Sequence, residues 1–213
     1  MLRGVREHGP TPCAPRATPQ RLNRALALCV TLAAVSGCEP DRPLPPVLHE
    51  LPDFTAIDQG GRAFQPATLA GHVWVANFIF TDCPSVCPML TAQMGNVQRR
   101  LMPRAPDVRY VSITVDPERD TPEVLAAYAA RHDANLNTWR FLTLGDHEST
   151  QQLVVRGFRV RMGERERQPN GDDDIMHASH FVLVDGQRHV RGYYSTDAEG
   201  LANLEADALA LAR

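Results

Sequence analysis

The 213-residue chain contains no lysine; all 22 of its basic residues are arginines. Without a lysine amine there is no Schiff-base nucleophile for pyridoxal phosphate or aldolase chemistry, and no P-loop lysine to grip a nucleotide phosphate. Aromatics are scarce at 6%, and acidic residues outnumber basic ones by 25 to 22. That balance argues against nucleic acid as a main partner. Long apolar runs are missing too. The stretch 25–37 has thirteen positions, where a membrane-spanning helix needs about 20.

That short run follows Arg3, Arg6, Arg16, Arg21 and Arg24, opposed only by Glu7, and ends in small residues. A basic stretch, a short apolar core and small residues are the layout of a secretory signal, here residues 1–37. A short buried helix is the plainer alternative, but the Pro- and Arg-rich approach offers no face to bury. Val35-Ser36-Gly37-Cys38 resembles the lipobox of bacterial lipoprotein precursors, although the leader before the apolar run is long. By that resemblance Cys38 carries a lipid, and the exported protein is anchored to a bacterial membrane on its periplasmic face without spanning it. Residues 38–50 hold four prolines and no apolar period, the composition of a semi-extended tether. From Leu51 onward, 163 residues remain, enough for one hydrophobic core.

Cysteine is equally sparse. Cys13 and Cys29 fall in the leader, so the exported domain keeps only Cys83 and Cys87 besides the lipid candidate. One close pair cannot be the disulfide framework of a small secreted scaffold. It is a single staple or a functional site.

Strand and helix patterns alternate through the domain. Asp53–Asp58 and Arg62–Phe64 flank Gln59-Gly60-Gly61, which predicts a hairpin. His72–Phe80 and Val108–Val115 are nearly continuous apolar runs, as in strands buried on both faces. Leu90, Met94, Val97 and Leu101 make one helical stripe that Pro103 ends. Helices are also predicted over Thr121–His132 and Ser149–Phe158, with a short strand at Trp139–Leu144 between them. Phe181–Asp185 and His189–Tyr194 form two strands about Gly186-Gln187, and Leu201, Leu204, Ala208 and Leu211 mark a closing helix. This order predicts an α/β fold, a mixed sheet with helices on both faces and an N-terminal β-hairpin. Residues 161–176 are polar and marked by Gly and Pro, a surface excursion of hairpin type; its Asp172–Asp174 run reads as a solvated turn.

Ligand sites in open α/β sheets form outside the carboxyl ends of the strands. Two loops leave that edge: Thr81-Asp82-Cys83-Pro84-Ser85-Val86-Cys87-Pro88 and Asp116-Pro117-Glu118-Arg119-Asp120. If their strands are neighbours, thiols and carboxylates share one rim. Pro88 predicts a helix beginning there with Cys87 in the cap, where the helix's positive end favours thiolate. Two such sulfurs on one turn make a soft donor pair, suited to Cu(I), or to zinc with further ligands. A bare structural disulfide is the plainer reading, but closing so small a loop constrains little of the unfolded chain. Imidazole is the expected third donor, and the two histidines before strand 181–185, His177 and His180, are the candidates. Periodicity alone does not separate them.

TDCPSVCP, then VDPERDTP, then HASHFVLVD, all in order, resemble the SCO/SenC family of copper-binding proteins over roughly residues 50–212. The resemblance implies a thioredoxin-like fold in which Cys83, Cys87 and a histidine bind copper, Cu(I) or Cu(II). Only His177 matches the family's H-[ST]-x-x-F-x-L-x-D, with Phe181, Leu183 and Asp185 at the right offsets. Ala178 stands where the family has serine or threonine, so a hydrogen bond is lost there. Asp116 and Asp120 match the D-P-x-x-D loop, which implies places close to the metal. On the residues alone, Asp120 or Thr121 is a good N-cap for the helix opening at Pro122, and Asp116 a strand end. The function implied is a copper chaperone that delivers copper to, or reduces the cysteines of, the dinuclear copper centre of cytochrome c oxidase subunit II. Oxidising Cys83 and Cys87 to a disulfide would remove both thiolate donors, so redox state and copper occupancy are coupled. Periplasmic copper carriers and thiol reductants are further expected partners.

The enzymatic rival is a thiol–disulfide oxidoreductase on the same fold. Against it, the pair is C-x3-C rather than C-x-x-C, and no proline after Pro169 can supply the cis-proline thioredoxins place before this strand. A peroxiredoxin needs Ser or Thr three residues before its reactive cysteine, where this chain has Phe80 and Pro84. A structural or sensory lipoprotein with a vestigial site is the third class.

Overall fold

The structure is a computed structural model that describes residues 42–83, 86–167, 173–177 and 179–213. The leader 1–37, Cys38, the start of the tether, Asp172 and Ala178 lie outside the described residues. Strand β1 (His49–Glu50) precedes a hairpin of β2 (Ala56–Asp58) and β3 (Ala63–Phe64). Then come β4 (Trp74–Ile79), α1 (Val86–Leu101), β5 (Arg109–Thr114), α2 (Pro122–Arg131) and β6 (Trp139–Thr143). Helix α3 (His147–Gln151) continues as a π-turn over Gln152–Gly157. The ribbon β7 (Met162–Arg167) and β8 (Asp173–His177) follows, then β9 (Phe181–Val184), β10 (His189–Tyr194) and α4 (Ala198–Leu211).

Eight strands form one mixed sheet in the order β1-β10-β9-β4-β5-β6-β2-β3, and β7 and β8 pair separately. Strands β4, β5 and β6 are parallel, joined by helical crossovers, while β9 runs antiparallel to β4. The apolar runs explain the centre. Every residue of Trp74–Ile79 is buried, as sheet between two helical layers requires. Trp74 and Phe78 both meet Phe158 edge-on, and Trp139 stacks on Phe141 at 5.0 Å. Within this core Ser112 donates to Asn77 Oδ1 at 2.7 Å and accepts from Trp139 Nε1 at 2.9 Å, a buried polar link across three strands. Gly186 is fixed by proximity: a Cβ there would fall 2.7 Å from the Gly71 backbone.

Three local expectations change. The tether is not free over its second half, because Leu48 N–H donates to Val190 O at 2.9 Å and β1 pairs antiparallel with β10. Arg42 reaches Asp207 at 2.6 Å, and Arg191 Nε donates to Pro45 O at 2.9 Å. The helix expected over Ser149–Phe158 starts earlier, at a side-chain cap from Asp146, and widens into the π-turn. Leu153, Val154, Gly157 and Phe158 are all buried on one face of it. The hairpin-type excursion holds as the pairing of β7 with β8, but it runs on past residue 176 to include His177. Among the described residues no helix is long and apolar enough to cross a membrane.

Candidate metal centre

Strands β4 and β5 pair in register from Trp74↔Arg109 to Ile79↔Thr114, so the loops leaving their carboxyl ends are adjacent. On the first of these loops Phe80 is buried, and Cys83 N–H turns back to Phe80 O at 3.4 Å. Helix α1 opens at Val86, not at Pro88, so Cys87 lies inside the first turn. The Cys83 sulfur accepts from the Cys87 amide at 3.4 Å, and the Cys87 sulfur accepts from the Phe80 amide at 3.5 Å. Sulfur thus serves one of the N–H groups that a helix start leaves without an intrahelical partner. Cys83 and Cys87 are both reduced and both buried.

His177 ends β8, opposite Met162, rather than sitting in a loop. Its Nε2 lies 3.3 Å from the Cys87 sulfur, and its ring stands edge-on to Phe80 at 5.9 Å. A sulfur and a nitrogen bound to one ion at about 2.3 and 2.0 Å with tetrahedral angles stand about 3.5 Å apart, so this spacing suits a shared ion. Among the described residues no three His, Cys, Asp or Glu side chains form a preformed metal cluster. Instead Cys83 touches the Cys87 amide and Cys87 touches His177, a continuous chain of contacts. His180 is exposed.

The expectation of a helix-stabilised thiolate at Cys87 is reversed in this arrangement. Contact with the Cys83 thiol, then burial, push the Cys87 thiol far above its ordinary range. The Phe80 amide opposes this weakly, and negative charge at Asp120 adds to it. Cys87 is therefore a protonated thiol whose proton a cation would displace.

Both loop carboxylates are buried at the rim, Asp116 at 2% and Asp120 at 1% exposure. Asp120 is not the cap of α2; Thr121 fills that role, accepting from Val124 N–H at 3.4 Å. Asp120 instead accepts from the Thr81 amide at 3.1 Å and from the hydroxyls of Thr81 and Thr114. It ties the cysteine loop to the end of β5. Asp116 receives the Arg165 guanidinium from β7, which also lies 3.9 Å from Glu118. Arg165 faces Ile175 across the ribbon, two residues before His177. Sequence reading missed Thr81, Thr114 and Arg165; the D-P-x-x-D motif marks the carboxylates but not the groups they hold. One turn beyond Cys87, the Thr91 and Tyr128 hydroxyls meet at 2.8 Å between α1 and α2.

A mixed sheet between helices, a C-x3-C pair where a central strand turns into a helix, and an imidazole delivered from just before the next antiparallel strand define a thioredoxin-like domain with a thiol–imidazole cluster. The chain belongs to the SCO1/SenC family, whose profile matches residues 45–208. It is 31% identical to a SCO1/SenC family lipoprotein from Bacillus anthracis (TM-score 0.72; 80% of this chain and 100% of that one covered). BsSco, a member of the Sco family of cytochrome c oxidase assembly proteins in which a disulfide switch was identified, is 30% identical (TM-score 0.69; 80% and 97%). Bradyrhizobium japonicum ScoI, solved with copper bound, is 26% identical (TM-score 0.63; 74% and 99%).

Proposed function

We propose that the protein binds one copper ion through Cys83, Cys87 and His177 and serves the assembly of cytochrome c oxidase. It delivers the ion to, or reduces the cysteines of, the dinuclear copper centre in subunit II. It does so exported, at the periplasmic face of a bacterial membrane, held by a lipid on Cys38. The observation that carries the reading is the 3.3 Å approach of His177 Nε2 to the Cys87 sulfur, between residues 90 positions apart in sequence. Copper on ScoI and the assembly role of the family of BsSco support it.

Two thiolates and an imidazole are soft and borderline donors, a set that favours copper over hard cations. Loading displaces the Cys87 proton, so affinity rises with pH. Oxidation of the pair forms one S–S bond and sends two electrons to an acceptor, and both thiolate donors vanish together. Copper is then held by His177 alone and leaves. Within this reading Asp116 and Asp120 position the ligand-bearing segments and do not touch the ion.

The test is copper loading of the full chain, followed by the thiolate-to-Cu(II) charge-transfer band. His177→Ala should shift that band and weaken binding about 100-fold or more. Stoichiometric copper with an unchanged band in that variant would remove His177 from the site. A thiol–disulfide oxidoreductase is the second reading, favoured by the direct contact of the two cysteines. Its mark is disulfide-exchange turnover on a protein substrate together with weak copper affinity.

A further inference from the structure

A cleft of about 510 Å³ opens beside the thiol–imidazole cluster, lined by Arg159, Arg161, Met176, His177, His180 and Tyr193 among others. His177 belongs both to this cleft and to the cluster, so the cleft borders the candidate ligand. The charge there is of one sign. Several arginines elsewhere are neutralised, Arg42 by Asp207, Arg100 by Glu205, Arg188 by Glu50 and Asp53, and Arg191 by Asp185, while Arg99, Arg104, Arg131 and Arg156 form no ion pair among the described residues. Arg159 and Arg161 are exposed and form no ion pair among the described residues. They flank buried Val160 in sequence, with Arg159 at a φ of 55°, and both line the cleft. A basic rim on a chain of net charge −3 is a local departure from the whole.

The cleft also exposes apolar surface. Met176 in its lining is 62% exposed; outside the lining, Val86 and Met89, on either side of Cys87 in the first turns of α1, are 39% and 49% exposed. Exposed apolar groups rimmed by charge mark a contact face. Two unpaired guanidiniums repel a free cation and attract carboxylates, so this is not a second metal site.

We propose that the cleft is the docking site for an acidic segment of the protein that exchanges copper or electrons with the cluster. Aspartate or glutamate side chains of that partner engage Arg159 and Arg161, and an apolar side chain packs on Met176. The proposal rests on the function inferred above only in naming what the partner exchanges; the binding itself needs no metal. Opposite charge at the rim raises the encounter rate and fixes the approach to His177.

The probe is a synthetic peptide of alternating aspartate and methionine, with its asparagine counterpart as control, titrated into the metal-free full chain and followed by amide NMR shifts. Shifts should centre on residues 159–161 and 175–180, weaken at high salt and vanish for the asparagine peptide. Arg159→Asp with Arg161→Glu should weaken peptide binding about tenfold or more. The same charge change in the last turn of α1 and just beyond it, Arg99→Glu with Arg104→Glu, should leave it nearly unchanged. Equal losses in the two double variants, or shifts centred elsewhere, would overturn the proposal. So would binding of the Arg159/Arg161 face to vesicles of phosphatidylglycerol with none to the peptide. Failure of copper to load, with peptide binding intact, would sink the metal reading and leave the docking face standing.

Discussion

Asp120 shows how much the cysteine loop leans on a buried residue with no sulfur or imidazole contact of its own among the described residues. Its carboxylate is buried, forms no ion pair among the described residues, and accepts from one amide and two hydroxyls. Burial holds its pKa above the ordinary carboxylate value, against the hydrogen bonds from Thr114 and Thr81, so its ionised form opposes folding at neutral pH. Asp120→Ala leaves all three donors without an acceptor and should cost about 2–4 kcal/mol, read from urea unfolding. Asp120→Asn keeps one acceptor and removes the buried charge, so its loss should be smaller. Equal losses would mean that space, and not hydrogen bonding, is what the side chain supplies. The two candidate thiols were legible because they sit on one turn; the residues alone left His177 and His180 open, and only the family resemblance singled out His177. Thr81 and Arg165 were not legible, because each acts on a carboxylate 39 or 49 residues away.

Among the elements, the β7–β8 ribbon carries the most function for the least core. It stands outside the main sheet and is pinned by buried Met162 and Ile175, by the His177 ring against Phe80, and by Arg165 on Asp116. Replacing Arg165 by Met keeps the stem's bulk and leaves the Asp116 carboxylate buried without its cation. Copper should then dissociate about tenfold faster in chelator competition, with partial recovery in Arg165→Lys. An unchanged rate would mean that Ile175 and Phe80 hold His177 unaided. The buried strands β4 and β5 were readable from nearly continuous apolar runs, since sheet centres leave no other place for such sequences, and β9 and β10 from the turn between them at Gly186-Gln187. Neither β1 nor the π-turn was readable. The first is two residues long and held by long-range backbone bonds, and the second inserts a residue into a periodicity that otherwise looks α-helical.

For the molecule as a whole, the β9–β10 turn is the joint between sheet and amino-terminal strap. Asp185 accepts from the Gln187 and His189 amides, each at 2.9 Å, and from Arg191 at 2.8 Å, and Arg191 in turn holds Pro45 O. Burial would raise this carboxyl, but the hydrogen bonds from His189, Arg191 and Gln187 outweigh it and hold Asp185 below its ordinary value. A depressed folded-state pKa contributes stability above the unfolded value and loses it as pH falls through the folded one. Asp185→Asn should therefore cost about 1–2 kcal/mol at neutral pH, and its unfolding midpoint should converge on that of the wild type in strong acid. Parallel acid limbs would show that the joint draws nothing from ionisation.

The strap also sets a length. Because Arg42–Glu50 are stitched along β10 and onto α4, any leash to a lipid begins at Arg42 and not at Leu51. Nine fewer free residues shorten its full stretch by about 30 Å. The radius over which such a molecule could search for its target, tethered to a bilayer, contracts by the same amount.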